Sequence, residues 1–110
     1  MSTSGSVKEI TSQNFEGSVL RASKPVLVYF YANWNQLCQQ LAPAIDEMAQ
    51  KYENVAIVGK VNIDDDNAIV TRCGVKNIPT IILFKAGAER DRVVGRTSKE
   101  NIASMIDRAL

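Results

Sequence analysis

The stretch Pro25-Val-Leu-Val-Tyr-Phe-Tyr-Ala32, followed at once by Asn33-Trp-Asn-Gln-Leu-Cys38, changes period in its middle. Val26 to Tyr31 is a near-continuous apolar and aromatic run, the pattern of a strand buried on both faces. Beyond it, Leu37, Leu41, Ile45, Met48 and Tyr52 recur at spacings of 4, 4, 3 and 4, an apolar stripe along one side of a helix. Asn35 stands just ahead of the stripe as a good N-cap, able to accept from the N–H of Leu37 or Cys38. Pro43 lies inside the helix and is expected to remove one backbone bond and kink the rod. Cys38 is the single thiol of this helix start. A two-thiol redox site would place a second cysteine three residues earlier, where Asn35 stands.

The rest of the chain reads outward from that unit. Val7 to Ile10 is a short strand, and Phe15, Val19 and Leu20 mark one face of a short helix. Val55 to Ile63 is a strand ending in the charged turn Asp64-Asp65-Asp66. A short helix around Asn67 to Arg72 stops at Gly74, a suitable C′ residue. Thr80 to Phe84 is a third apolar strand, Lys85-Ala-Gly87 a turn, and Arg90 to Val94 a charge-rich edge strand. The last helix starts at Thr97 or Ser98, where Thr97 with Glu100 fits a capping box, and Ile102, Met105, Ile106 and Ala109 form its buried face. The order is β-α-β-α-β-α-β-β-α, which predicts an α/β fold with a mixed central sheet flanked by helices. Residues 1–6 read as a flexible terminus and residues 7–110 as one domain.

Composition narrows the function. The 110 residues are 45% hydrophobic and 23% charged with a net charge of +1, so neither a nucleic acid nor a membrane surface is an expected partner. No apolar stretch approaches the roughly 20 residues that span a bilayer. The N-terminus has no basic or apolar signal region, and a cytoplasmic monomer is expected. With no histidine and two cysteines 35 positions apart, Cys38 and Cys73, neither a Cys/His pair nor a zinc site is expected, nor any other metal or cofactor. The aspartate run lacks the glycine and distal glutamate of a calcium loop and reads as a solvated turn with helix-capping carboxylates.

Several fragments together resemble one family. They are Val28-Tyr-Phe-Tyr-Ala-Asn-Trp34, Leu41-Ala-Pro-Ala-Ile-Asp-Glu-Met-Ala49, Lys60-Val-Asn-Ile-Asp64, Gly74-Val-Lys-Asn-Ile-Pro-Thr80, Phe84-Lys-Ala-Gly87 and Val94-Gly95. In this order and spacing, from about Val7 to Leu110, the chain resembles thioredoxin. The resemblance implies the thioredoxin fold, with a cis proline at Pro79 beside the active site. It also implies that the backbone of Ile78 is presented to an extended substrate peptide, a strand-addition mode of binding. Trp34, Asn35, Gln36, Leu37, Ile78, Pro79 and Gly95 would then form the peptide-binding face, with Trp34 partly exposed at its rim.

The chemistry departs from the family. Its motif is Trp-Cys-Gly-Pro-Cys, and this chain has Trp34-Asn-Gln-Leu-Cys38. In the family the first cysteine attacks the substrate disulfide and the second resolves the mixed disulfide. Asn35, at the position of the missing nucleophile, has no thiol, and Cys38 keeps only the resolving place. The family's buried aspartate in the preceding strand is replaced by Tyr29. Its lysine partner remains as Lys60, expected near a neutral phenol or snorkelling to solvent. Cys38, at the edge of the buried stripe, is expected to be an inert thiol although the helix N-terminus favours a thiolate. Cys73 is expected to be a small filler at a helix end, with an exposed, oxidisable regulatory thiol as the sharper reading. A bridge between Cys38 and Cys73 needs Cα atoms within about 7 Å and is not expected.

The sequence thus leads to a thioredoxin-like protein without dithiol reductase activity that binds a protein or peptide. Two alternatives remain at this point. One is a weak monothiol oxidoreductase using Cys38, or Cys73 in trans. The other is a scaffold or engineered variant of an active thioredoxin.

Overall fold

Strand β2, Val26–Tyr31, has side chains in two cores because a strand sends alternate residues to opposite faces. Leu27 and Tyr29 enter one core, and Val26, Val28 and Phe30 enter the other, all of them buried. The computed structural model describes residues 7–110; the expected flexible terminus at residues 1–6 lies outside the described residues.

Around β2 runs a five-stranded mixed sheet of order β1-β3-β2-β4-β5, with β1 at Lys8–Glu9, β3 at Ile57–Asn62, β4 at Thr80–Lys85 and β5 at Ala88–Val94. β2 pairs in parallel with β3 (Tyr29 opposite Lys60) and antiparallel with β4 (Tyr29 opposite Ile81). Helix α1, Gln36–Lys51, and helix α3, Lys99–Ala109, cover one face of the sheet. Helix α2, Asn67–Arg72, and a π-helical turn at Glu16–Leu20 cover the other. This is the layered α/β arrangement and element order that the periodicity implied. The observed β1 and β3 are shorter than the apolar runs that marked them. At the start of β3, for example, Val55 is 45% exposed and precedes the ladder.

Local chemistry fixes the element ends. Asn35 Oδ1 accepts the Cys38 N–H at 2.9 Å and opens α1. Pro43 lies inside α1, so the Gln39 carbonyl finds no N–H four residues on, yet the helix continues to Lys51. Asp66 caps α2 through Ile69 N–H, and its other oxygen accepts the Ser12 N–H at 2.7 Å. At the far end of α2 Gly74, at φ +66°, forms a Schellman closure: Val75 N–H reaches Val70 O and Gly74 N–H reaches Thr71 O. The β4–β5 hairpin turns on Ala86 and Gly87, both at positive φ. The capping of α3 corrects one expectation. Ser98, not Thr97, is the N-cap, its Oγ accepting Asn101 N–H at 3.0 Å. Glu100 therefore falls at N2, one place short of a capping box, and Thr97 Oγ1 instead accepts from Asn101 Nδ2.

Two substitutions test this packing. A Cβ at Gly59, where β1 and β3 meet, would stand 2.5 Å from Ile10 Cγ1 and 3.3 Å from the Lys8 carbonyl. Gly59→Ala is expected to cost about 1–3 kcal/mol in a urea titration, the usual range for overpacking. A loss below the error of the titration would contradict the close approach. The Ser12 and Ile69 N–H groups hold the Asp66 carboxyl below the usual carboxylate range, the Ser12 bond contributing most. A depressed folded-state pKa adds stability above the unfolded value of about 4, and that stability is lost as pH falls through the folded value. Asp66→Asn is expected to lower Tm at pH 7, with the gap from the parent narrowing below about pH 4. A gap constant with pH would contradict the charge-assisted cap.

Candidate functional site

The turn from β2 into α1 brings Asn35, Cys38 and Tyr29 together. Cys38 occupies the first turn of α1 and is only 2% exposed, packed into the core between the sheet and the two long helices. Directly beneath the helix start, the Tyr29 hydroxyl donates to the Cys38 carbonyl at 2.8 Å. Burial, with Cys38 next in weight, pushes the Tyr29 phenol far above its ordinary value, so this group stays neutral and holds a backbone carbonyl. Tyr29 stacks on Tyr31 with centroids 5.2 Å apart and planes 10° from parallel. Lys60 Nζ lies 5.9 Å from the Tyr31 ring centre, a cation over a ring face. The lysine thus sits by a neutral phenol, but that of Tyr31, the neighbour on the same face of β2. A cavity of about 370 Å³ opens beside these groups, with Asp46 and Gln39 of α1 completing its wall.

This arrangement limits the chemistry. A thiolate attacking a disulfide must approach along the S–S axis, and a residue 2% exposed gives a protein disulfide no such approach. Asn35 is half-buried and its Oδ1 is committed to the cap.

A second cluster faces outward. Trp34 is 66% exposed, and its Nε1–H donates to Asp64 Oδ2 at 2.9 Å. The hydrogen bond holds the indole upright beside a hollow of about 430 Å³ walled by Ile63, Val70, Val75 and Ile78. Val70 and Val75 are the two ends of the Schellman closure, so the end of α2 shapes this wall. The Ile78–Pro79 bond is cis. Pro79 O accepts the N–H of Gly95 at 2.8 Å, and Gly95 itself has φ +87°, a conformation suited to glycine. On the other side of Pro79 lies a smaller hollow of about 70 Å³, between Leu37, Leu41 and Thr97. Trp34, Asn35 and Ile78 therefore share one hollow, Leu37 and Pro79 share the other, and Gly95 is tied to Pro79. Gln36 is exposed on the first turn of α1 and lines neither hollow.

Cys73 stands apart from both clusters. It is a free thiol, as is Cys38, half-buried against the second core, and burial pushes its thiol up. Its carbonyl, at the end of α2, accepts from Arg92 Nη2 at 2.7 Å, and the same guanidinium is gripped by Glu89 through two hydrogen bonds. Sequence reasoning missed this Arg92–Glu89 clamp, the Trp34–Asp64 bond and the Tyr29–Cys38 bond. Only the first left a readable trace, a Glu and an Arg three apart, with Arg92 inside the charge-rich strand expected over Arg90 to Val94 and Glu89 just before it; the observed β5 starts earlier, at Ala88, and takes in both. The other two join residues whose proximity depends on the completed fold.

The family follows from comparison with known proteins. A sequence model of thioredoxin matches residues 6–108. The chain is 38% identical over 103 residues to "Thioredoxin" of Pyropia yezoensis, covering 94% of this chain and 96% of that one. It is 40% identical over 101 residues to "Thioredoxin 1" of Synechococcus elongatus, covering 92% and 94%. To "Thioredoxin M5, chloroplastic" of Oryza sativa it is 40% identical over 96 residues, 87% of this chain and 56% of that one. With the mixed sheet, its two helical layers and this similarity along nearly the whole chain, the protein belongs to the thioredoxin family.

Proposed function

We infer that this member of the family is a protein- or peptide-binding module without dithiol disulfide-reductase activity. One observation carries the reading: the helix start that would hold two thiols has one, Cys38, in the core, and Asn35 three residues before it spends its side chain on a backbone cap. A Cys-x-x-Cys disulfide stores two electrons between two sulfurs, and one sulfur cannot store them. Tyr29 supports the same reading. In the family this place belongs to a carboxylate that manages the resolving cysteine's proton, and a neutral phenol bonded to a carbonyl does not take that part.

What is retained is the docking face. Trp34 is exposed and braced, and Ile78 precedes a cis proline. Among the described residues no protein group hydrogen-bonds the Ile78 backbone N–H or C=O. Such groups accept an extended peptide by strand addition. The protein is read as one domain spanning residues 7–110, acting as a monomer in the cytoplasm, where two free thiols stay reduced. No helix among the described residues is long and apolar enough to cross a membrane.

The test is insulin-disulfide reduction, with thioredoxin reductase and NADPH or with dithiothreitol, run on the parent and on Asn35→Cys. The parent is expected to show no turnover above background. The variant is expected to form a 35–38 disulfide under mild oxidant, read as the loss of two hydrogens by mass analysis. It is also expected to lose about 1 kcal/mol of stability with the cap. Robust turnover by the parent would overturn the reading, and absence of the engineered disulfide would contradict the placement of Asn35 at the nucleophile's position.

A further inference from the structure

The two hollows on either side of the Ile78–Pro79 bond share an electrostatic feature. The larger, beside Trp34, has a single charged lining residue, Lys76. The smaller, against Leu37 and Pro79, also has a single one, Arg96. No carboxylate lines either hollow among the described residues. Both cations are exposed, and neither makes an ion pair among the described residues. Being unpaired does not by itself set them apart, since beyond Arg21, Arg92, Lys99 and Arg108 other cations such as Lys85 and Arg90 also make no ion pair among the described residues; what sets them apart is their place on the two hollows. Lys76 and Arg96 thus flank the Ile78 backbone, whose N–H and C=O are taken by no other group among the described residues. Asp64 is the carboxylate tied to this face, and its Oδ2 already accepts the Trp34 Nε1–H.

We propose that the partner of this face is an acidic extended peptide segment, with an apolar side chain seated in a hollow and carboxylates reaching Lys76 and Arg96. The inference rests on the binding-module reading of the same face and adds the chemistry of its ligand. The apolar walls supply area, since Ile63, Val70 and Val75 line the larger hollow and Leu37 and Leu41 the smaller. The open N–H and C=O of Ile78 supply direction by pairing with the peptide backbone. The two cations select among peptides that satisfy both. Their pairs with carboxylates form at an exposed rim, so they contribute modestly to affinity and more strongly to discrimination, because a basic peptide meets like charge there. An exposed pair of this kind is also screened by salt, with a Debye length of about 10 Å at 0.1 M.

The experiment is selection from a phage library of random dodecapeptides on the full chain, captured through a C-terminal tag. Selected peptides are expected to carry Asp or Glu next to an apolar residue. A synthetic copy of the best peptide is expected to weaken about fivefold on the double substitution Lys76→Gln with Arg96→Gln, and by a similar factor when salt rises from about 0.05 to 0.5 M. Trp34→Ala is expected to weaken acidic and neutral peptides alike. Both variants are checked for a native circular dichroism spectrum. Selected peptides without acidic bias, or an acidic peptide indifferent to the double substitution, would overturn the proposal and leave the binding-module reading standing. Recovery of no binding peptide by the folded protein would overturn both.

Discussion

Strand β2 has no face in water, and the rest of the molecule is arranged around that constraint. All six of its residues pair with β3 on one side, the first five also pair with β4 on the other, and those five are buried. A strand so enclosed must hand the chain out at its end, and it does so through Ala32, Asn33 and Trp34 into the capped start of α1. The exposed indole and the buried thiol lie four residues apart because the chain leaves the end of the central strand and turns back over the core within that turn. Two surroundings follow from this one turn, a buried inner one around Cys38 and an exposed outer one around Trp34 and Ile78.

The inner face is built for structure. The Tyr29 hydroxyl bonds the carbonyl of Cys38, Asn35 bonds its N–H, and the thiol packs among Leu41, Ile45 and their neighbours. Each hydrogen bond is worth about 1 kcal/mol, and leaving either buried group unpaired would cost more. The outer face is held by bonds that converge on it from separate elements: Asp64 on the indole, Gly95 on Pro79 O, and Arg92 on the end of α2 that shapes the wall beside Trp34. Under the proposed peptide-binding role, a surface braced from three elements loses little conformational freedom on docking, which favours affinity.

Much of the fold was legible because it rests on local periodicity. The stripe of α1, the double-faced run of β2, Gly74 at the end of α2 and the buried residues of α3 all follow from spacing and side-chain chemistry. What the sequence left open depends on register or on a shift of one residue. The α3 cap could be Thr97 or Ser98, both good caps, and only the folded backbone selects Ser98 and with it removes the Thr97–Glu100 capping box. The position of Lys60 depended on which of Tyr29 and Tyr31 it would meet; both lie on one face of β2, and the pairing of Tyr29 with Lys60 across the parallel ladder does not itself say where a four-carbon stem ends. At the site, the composition of the motif was readable, with one thiol where two are needed. The Trp34–Asp64 and Tyr29–Cys38 bonds were not, as each side chain had many local alternatives.

The central claim is that Cys38 is a core residue at the head of α1 and not an available nucleophile. The direct measurement is a time course of thiol alkylation by iodoacetamide on the native protein, with the labelled sites assigned by peptide mass mapping and the same reaction run in guanidinium as reference. The account predicts that Cys38 is labelled at least about a hundredfold more slowly in the native protein than in guanidinium, at a rate set by opening of the core. Native labelling of Cys38 as fast as in the unfolded chain would contradict it.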